Sequence, residues 1–186
     1  MQWTDEDYAF LLGLYLGDGC ISNAGRSHRL RLSLDSRYPG VLADARDVLA
    51  RGFCANDVGE LRADRGSTAI LSVYSTHLPC LFPQHGPGLK HKRSIVLEPW
   101  QEGIVQRAPY AFIKGCVWSD GCTFINRTGP YEYLTVDFCN KSADIRSLFG
   151  DACETAGLDY RMNGDRVRIN RRESVKPVIA EIGTKR

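Results

Sequence analysis

Apolar positions along this chain change their period several times, and each change marks an element. Tyr8, Leu11, Leu12 and Tyr15 keep the three- and four-residue spacing of a helix face. Thr4 precedes them as a cap, with Asp5, Glu6 and Asp7 at the positive end. After Cys20 comes a polar turn rich in Asn, Gly, Arg and Ser. Leu30, Leu32 and Leu34 then alternate with Arg29, Arg31, Ser33 and Asp35, which predicts a strand with one apolar and one polar face. Val41, Leu42, Ala45, Val48 and Leu49 return to helical spacing within Tyr38–Phe53. Residues 59–75 read as a hairpin turning at Asp64–Ser67, with Ala69, Leu71 and Val73 toward the core.

The second half goes through the same order. Phe112, Cys116 and Val117 keep helical spacing, and Leu134, Val136 and Phe138 alternate with Tyr133, Thr135 and Asp137. Ile145, Leu148, Phe149 and Cys153 predict a helix over Ala143–Gly157. Residues 160–170 predict a hairpin turning at Asn163-Gly164. In it Met162, Val167 and Ile169 alternate with Arg161, Arg166, Arg168 and Asn170. Val175–Ile182 is a short last helix. Each half thus reads helix, two strands, helix, two strands, helix. Between them, Pro79–Pro109 holds most of the prolines and is longer than an ordinary connection. The expected units are an N-terminal repeat over 1–82, a linker over 83–108 and a C-terminal repeat over 109–186.

The repetition is also literal. YAFLLGLYLGDGC, Tyr8–Cys20, recurs as YAFIKGCVWSDGC from Tyr110, with Tyr, Ala, Phe, Gly, Asp, Gly and Cys at matching places. Gly13 and Gly17 lie four apart, as do Gly115 and Ser119. Small residues at that spacing form a strip along which two helices approach backbone to backbone. Gly19 and Gly121 are expected to end the helices as left-handed residues. Asp18 and Asp120 then stand at helix C-termini, where the dipole disfavours a carboxylate by about 0.3–1 kcal/mol. Pairing of the helices brings the two acids together, so like charges repel. A bound divalent cation relieves both penalties.

Composition narrows the class. With 43% hydrophobic and 25% charged residues the chain is an ordinary globular one, and no apolar run reaches a membrane span. The start, MQWTDEDY, lacks the basic and apolar regions of a secretion signal. Seven cysteines without a C-x-x-C support neither a disulfide framework nor a zinc knuckle, and imply reduced thiols in a cytoplasmic, organellar or nucleoid-associated setting. Net charge is only +2, but the arginines cluster: Arg26, Arg29, Arg31 and Arg37 in one segment, Arg161, Arg166, Arg168, Arg171 and Arg172 in another. A third basic run holds Lys90, Lys92 and Arg93. One side of the molecule is therefore expected to be basic. Setting Leu34 against Phe138 places Arg29, Arg31 and Ser33 opposite Tyr133, Thr135 and Asp137. No Ser–His–Asp arrangement or phosphate-binding glycine loop is readable, and the four histidines are scattered.

LLGLYLGDG (Leu11–Gly19) and IKGCVWSDG (Ile113–Gly121) resemble the two motifs of a single-chain LAGLIDADG homing endonuclease, and the resemblance in repeat length and element order spans nearly the whole chain. It implies an α+β fold of two pseudo-twofold-related αββαββα halves with two antiparallel, saddle-shaped sheets. It implies a monomer that binds a long, non-palindromic double-stranded DNA site and cleaves it with Mg²⁺, Mn²⁺ substituting and Ca²⁺ being non-productive. Asp18 and Asp120 become metal ligands, with the carbonyls of Gly17 and Ser119 as supplements. Lys90 or Lys92 becomes the catalytic cation, Lys92 slightly preferred, with Arg37 and Lys141 as paired accessory cations. The DNA-binding set is Arg29, Arg31, Ser33, Arg37, Arg62, Tyr133, Thr135, Asp137, Lys141, Arg161, Arg166, Arg168 and Asn170. Lys114 and Trp118 depart from the motif pattern. The second half has no counterpart to the LKHKR run nearer than Lys176, or Arg171 and Arg172. The alternative is a DNA-binding regulator or maturase-like protein on the same scaffold; a small-molecule binder lacks a supporting motif.

Overall fold

The computed structural model describes residues 3–185, and two helices cross its centre. These are α1 (Asp5–Asp18) and, from the second half, the helix over Pro109–Asp120 that becomes α5 in chain order. α1 is buried all along Tyr8–Leu16, so it carries no polar face. A capping box starts it: the Asp7 N–H donates to Thr4 Oγ1 (3.2 Å) and the Thr4 N–H to Asp7 Oδ2 (3.4 Å). The expected small-residue strip is what joins the helices. A Cβ on Gly13 would stand 2.6 Å from the Phe112 carbonyl oxygen, and one on Gly115 would run into the Phe10 carbonyl.

Each central helix feeds a sheet. In the first half β1 (Gly19–Asn23) and β2 (His28–Asp35) are followed by α2 (Pro39–Gly52), then β3 (Gly59–Ala63) and β4 (Thr68–Ser75), in the spatial order β1-β2-β4-β3. In the second half β5 (Gly121–Thr128) and β6 (Tyr131–Cys139) are followed by α6 (Ala143–Thr155), then β7 (Arg161–Asn163) and β8 (Arg166–Ile169), in the order β5-β6-β8-β7. All pairings are antiparallel. α7 (Arg172–Ile182) packs on α5 and β6. Leu30, Leu32, Leu34, Ala69, Leu71, Val73, Val136, Phe138, Val167 and Ile169 are buried, as their alternation predicts.

Several expectations are corrected. Gly19 and Gly121 are not left-handed: their φ values are −88° and −116°, and each opens a strand directly. They are glycines because a Cβ would meet the preceding turn, 2.5 Å from Tyr15 Cα and 2.7 Å from Val117 Cα. Residues after Cys20 read as a turn continue as β1 to Asn23. The second hairpin turns at Gly164–Asp165, not Asn163-Gly164: Asn163 still pairs with Arg166, and Gly164 supplies the positive φ of 56°.

The register between halves also shifts by two. Gly19 lies opposite Leu32 and Gly121 opposite Phe138, so Leu32, not Leu34, corresponds to Phe138. The cause is that the β5–β6 hairpin is longer than the β1–β2 hairpin, with 8 residues in β5 against 5 in β1. Leu134 is not a core residue. β8 pairs with β6 only from Val136 to Cys139, so Leu134 and its partner Ile125 lie beyond the sheet's cover, 40% and 54% exposed.

A buried amide network ties the connecting segment to the centre. Tyr8 Oη donates to the Leu81 carbonyl in the single-turn α3 (Leu78–Leu81) at 2.6 Å and accepts from Gln101 Nε2 at 2.7 Å. Gln101 lies in α4 (Pro99–Arg107) and in turn accepts from Gln84 Nε2 at 2.6 Å. Arg93 donates to the carbonyls of Gln84, Gly86, Pro87 and Gly88, which makes it an internal strut of this segment. Among the described residues, no helix is long and apolar enough to cross a membrane.

Candidate metal centre and sheet faces

Because α1 and α5 are in backbone contact at Gly13 and Gly115 and stay close beyond it, their last residues converge. A Cβ on Gly17 would overlap the Ser119 side chain and lie 3.1 Å from Asp120 Oδ2. Asp18 and Asp120 therefore share one site at the negative ends of two helices. Burial, and then the charge of Asp120, push the Asp18 carboxyl up to about 7. Burial also raises Asp120, against a hydrogen bond from Asn140 Nδ2 at 2.7 Å.

Two lysines meet this pair. Lys90, in a 3₁₀ turn over 90–92, donates to the carbonyls of Tyr15, Leu16 (3.0 Å) and Gly17 (3.2 Å). Burial lowers its ammonium to about 8, opposed by the two aspartates. Lys185 donates to the carbonyls of Ser119 (2.9 Å) and Gly121 (3.4 Å), and lies 5.0 Å over the Tyr38 ring. It too is lowered by burial, and the charges of Asp18, Asp35 and Asp120 oppose the shift. Each lysine thus stands at the negative end of one motif helix.

This corrects two readings. Lys90, not Lys92, reaches the site, because the turn points alternate side chains apart and leaves Lys92 exposed. The second cation is Lys185 rather than Lys176, Arg171 or Arg172. It lies beyond α7 in an isolated Thr-Lys-Arg, and only the return of the tail to α5 brings it in. The Gly17 and Ser119 carbonyls nominated as metal ligands each accept a lysine, which leaves one lone pair on each. A hard divalent cation fits the donor set: two crowded carboxylates that lose their mutual repulsion when it binds, with carbonyls adjoining.

A cleft of about 530 Å³ opens beside the acids, lined among others by Gly17, Lys90, Asp120, Asn140 and Lys141. Lys141 is therefore at the site, whereas Arg37 is held by Asp35 at 2.7 Å and is 79% exposed. Lys114 pairs with Asp44 at 2.8 Å and lies 4.1 Å over the Trp118 ring. Trp118 packs edge-on against Phe10 at 5.8 Å, so both motif departures are absorbed by packing behind the helices.

On the open sheet faces, Arg29, Arg31 and Ser33 point away from the core, as do Tyr133, Arg161, Arg166 and Arg168. Asn170 follows directly on β8. Three nominated contacts are placed otherwise. Arg62 shares the phase of core-facing Ala69 and is paired to Glu60 at 2.8 Å. Thr135 and Asp137 are 2% and 1% exposed. Asp137 is covered because Arg166 and Arg168 fold over it as ion pairs.

The fold is that of LAGLIDADG homing endonucleases. Mesophilic variants of the homing endonuclease I-DmoI match with a TM-score of 0.61 at 17% identity over 96% of each chain. The homing endonuclease I-SmaMI bound to cleaved DNA matches at 0.55 and 9% identity, over 95% of this chain and 85% of that one. Full-length DUF199/WhiA from Thermatoga maritima matches at 0.61 and 12% identity, over 98% of this chain but 56% of its own length. At such identities the likeness establishes the fold alone. No protein-family model and no curated protein matches the chain in sequence.

Proposed function

We propose that this protein is a site-specific double-strand DNA endonuclease whose divalent metal is held by Asp18 and Asp120. One observation carries the reading: two carboxylates are forced together at the negative ends of helices packed backbone to backbone, with a lysine at each end. Packing gains nothing from those acids, and their cost is relieved when a cation binds. Asp18 and Asp120 would hold Mg²⁺, or Mn²⁺ in its place, which would supply an activated water and neutralise charge on the leaving oxygen.

The protein's own residues do the rest. Asn140 holds the Asp120 carboxylate in one orientation. Lys90 and Lys185 set positive charge beside the scissile phosphates. With its ammonium lowered to about 8, Lys90 can hold or release a proton near neutral pH. Lys141 adds a cation at the cleft mouth. Structures of the neighbour I-DmoI are complexes with DNA and Mn or Ca, which supports DNA as the partner and divalent metal as the cofactor. The two open faces differ at most matching positions, Arg31 against Asp137 and Ser72 against Arg168 among them, so the target is long and not a palindrome, and one chain carries both halves as an internal pseudo-dimer.

A second reading, a non-cleaving DNA-binding protein, is favoured by the lysines already occupying the Gly17 and Ser119 carbonyls. The experiment that separates the two selects bound sites from a random duplex pool in Ca²⁺, then adds Mg²⁺ or Mn²⁺ and sequences the ends. Staggered cuts near the centre of the enriched site support the endonuclease. Enrichment without cleavage in either metal supports the second reading.

A further inference from the structure

The matching rows of the two sheets carry opposite charge at one position. Across the first sheet the row runs Cys20, Arg31, Ser72, Gly59; across the second it runs Cys122, Asp137, Arg168, Arg161. Asp137 thus stands where the first half has an arginine. It is 1% exposed, yet it lies on the open face. Arg168 Nε donates to its Oδ1 at 2.9 Å, and Arg166 Nη1 donates to its Oδ2.

We infer that Asp137 is a specificity-determining residue that touches no base itself and holds Arg166 and Arg168 as a fixed reader of guanine. A guanidinium tied through Nε keeps both terminal nitrogens free, and these present two parallel N–H donors. That fork matches the O6 and N7 acceptors on the major-groove edge of guanine. Arg168 has this arrangement, and Arg166, tied through Nη1, keeps Nε and Nη2. The guanidinium side chains are 44% and 50% exposed, so their outer edges face solvent while the acid beneath does not. A flexible arginine serves as well for a phosphate, which needs no fixed plane; a buried counter-acid on a DNA-facing surface weakens phosphate binding and is useful only where orientation matters.

The first sheet supplies the contrast. Among the described residues Arg29 and Arg31 have no carboxylate partner and their Nε atoms are buried without one; Arg29 donates to Ser72 Oγ at 3.2 Å and lies 5.5 Å over the Tyr74 ring, and Arg31 donates to Cys20 Sγ at 3.8 Å. The C-terminal half is therefore the more stringent reader, and it prefers guanine at two positions of its half-site.

This inference rests on the DNA reading proposed above, and one experiment tests them apart. Sites are selected from a random duplex pool in Ca²⁺ with the wild type, Asp137→Asn and Arg31→Ala, the last to mark the half-site read by the first sheet. The expected result is two guanines in the other half-site of the wild type. In Asp137→Asn the preference for them falls about tenfold, while affinity for random duplex rises because a negative charge has left the face. A merely structural role for Asp137 would lower the melting temperature and blur both half-sites alike, which overturns the inference. Unchanged guanines in Asp137→Asn overturn it too and leave DNA binding standing. A wild type that enriches no sequence removes the DNA reading and this inference with it. Should Asp137→Asn not fold, Arg168→Lys keeps the charge, lacks the fork, and is expected to lose one guanine of the two; retention of both overturns the inference.

Discussion

Lys90 and Lys185 occupy matching places: one ammonium closes the carbonyl end of α1 and the other closes that of α5. They come from unrelated segments, a 3₁₀ turn in the connection and the tail after α7. The chain thus restores at the site a symmetry that its sequence does not repeat. Each lysine serves two negative groups at once, the helix end and the neighbouring aspartate.

Lys90→Ala and Lys185→Ala should each reduce DNA cleavage by at least about tenfold, within the range of a positioned acid–base or charge-stabilising group. Lys92→Ala, altering an exposed side chain, should leave it within about twofold. Single-turnover cleavage of the selected site reads all three. Equal losses for Lys90→Ala and Lys92→Ala would mean that the turn positions neither.

Gly115→Ala should destabilise the fold by about 1–3 kcal/mol or more, because the added methyl overlaps the Phe10 carbonyl and the helices must separate. Gly103→Ala is the control. Its Cβ meets only the flexible end of Arg107 at 3.3 Å, so it should stabilise α4 by about 0.4–1 kcal/mol. Urea melts of both variants check the pair, and a neutral Gly115→Ala would refute backbone contact between the motif helices.

How much of this was legible depends on range. The motif helices, their small strips and the two acids follow from residues within one stretch, repeated. The strand phases of Leu30–Leu34 and Val167–Ile169 follow from alternation. Asp137 does not: its burial depends on two arginines that reach it from β8, across the sheet. Lys185 does not either, since nothing around it in the chain marks it. Alternation put Leu134 inside, and only the shortness of β8 leaves it outside. Leu134→Ser should accordingly cost less than about 0.5 kcal/mol, against about 1–3 kcal/mol for Val136→Ala in the covered part of the same strand. Thermal melts that rank them the other way would restore the alternation.

The paired acids should make the metal-free protein less stable as pH rises, in a way that can be isolated. An unfolded aspartate loses its proton near 3.8, whereas Asp18 in the folded protein holds it to about 7. The folded state therefore binds more protons across that interval, and stability falls from about pH 4 to pH 7 and stays lower above. Other groups titrate in the same range, so the informative quantity is the difference from Asp18→Asn, which cannot ionise at this position. That variant should equal the wild type near pH 4 and exceed it at pH 8 by about 1–3 kcal/mol, the partial exposure of Asp18 reducing the full value of its shift. Mg²⁺ should erase much of the gap by stabilising the wild type more than the variant. Thermal melts in EDTA and in Mg²⁺ at both pH values measure it. A wild type more stable than Asp18→Asn at pH 8 without metal would mean that Lys90 and Lys185 already neutralise the pair. The two acids would then be structural, and the case for a metal at their junction would fall with them.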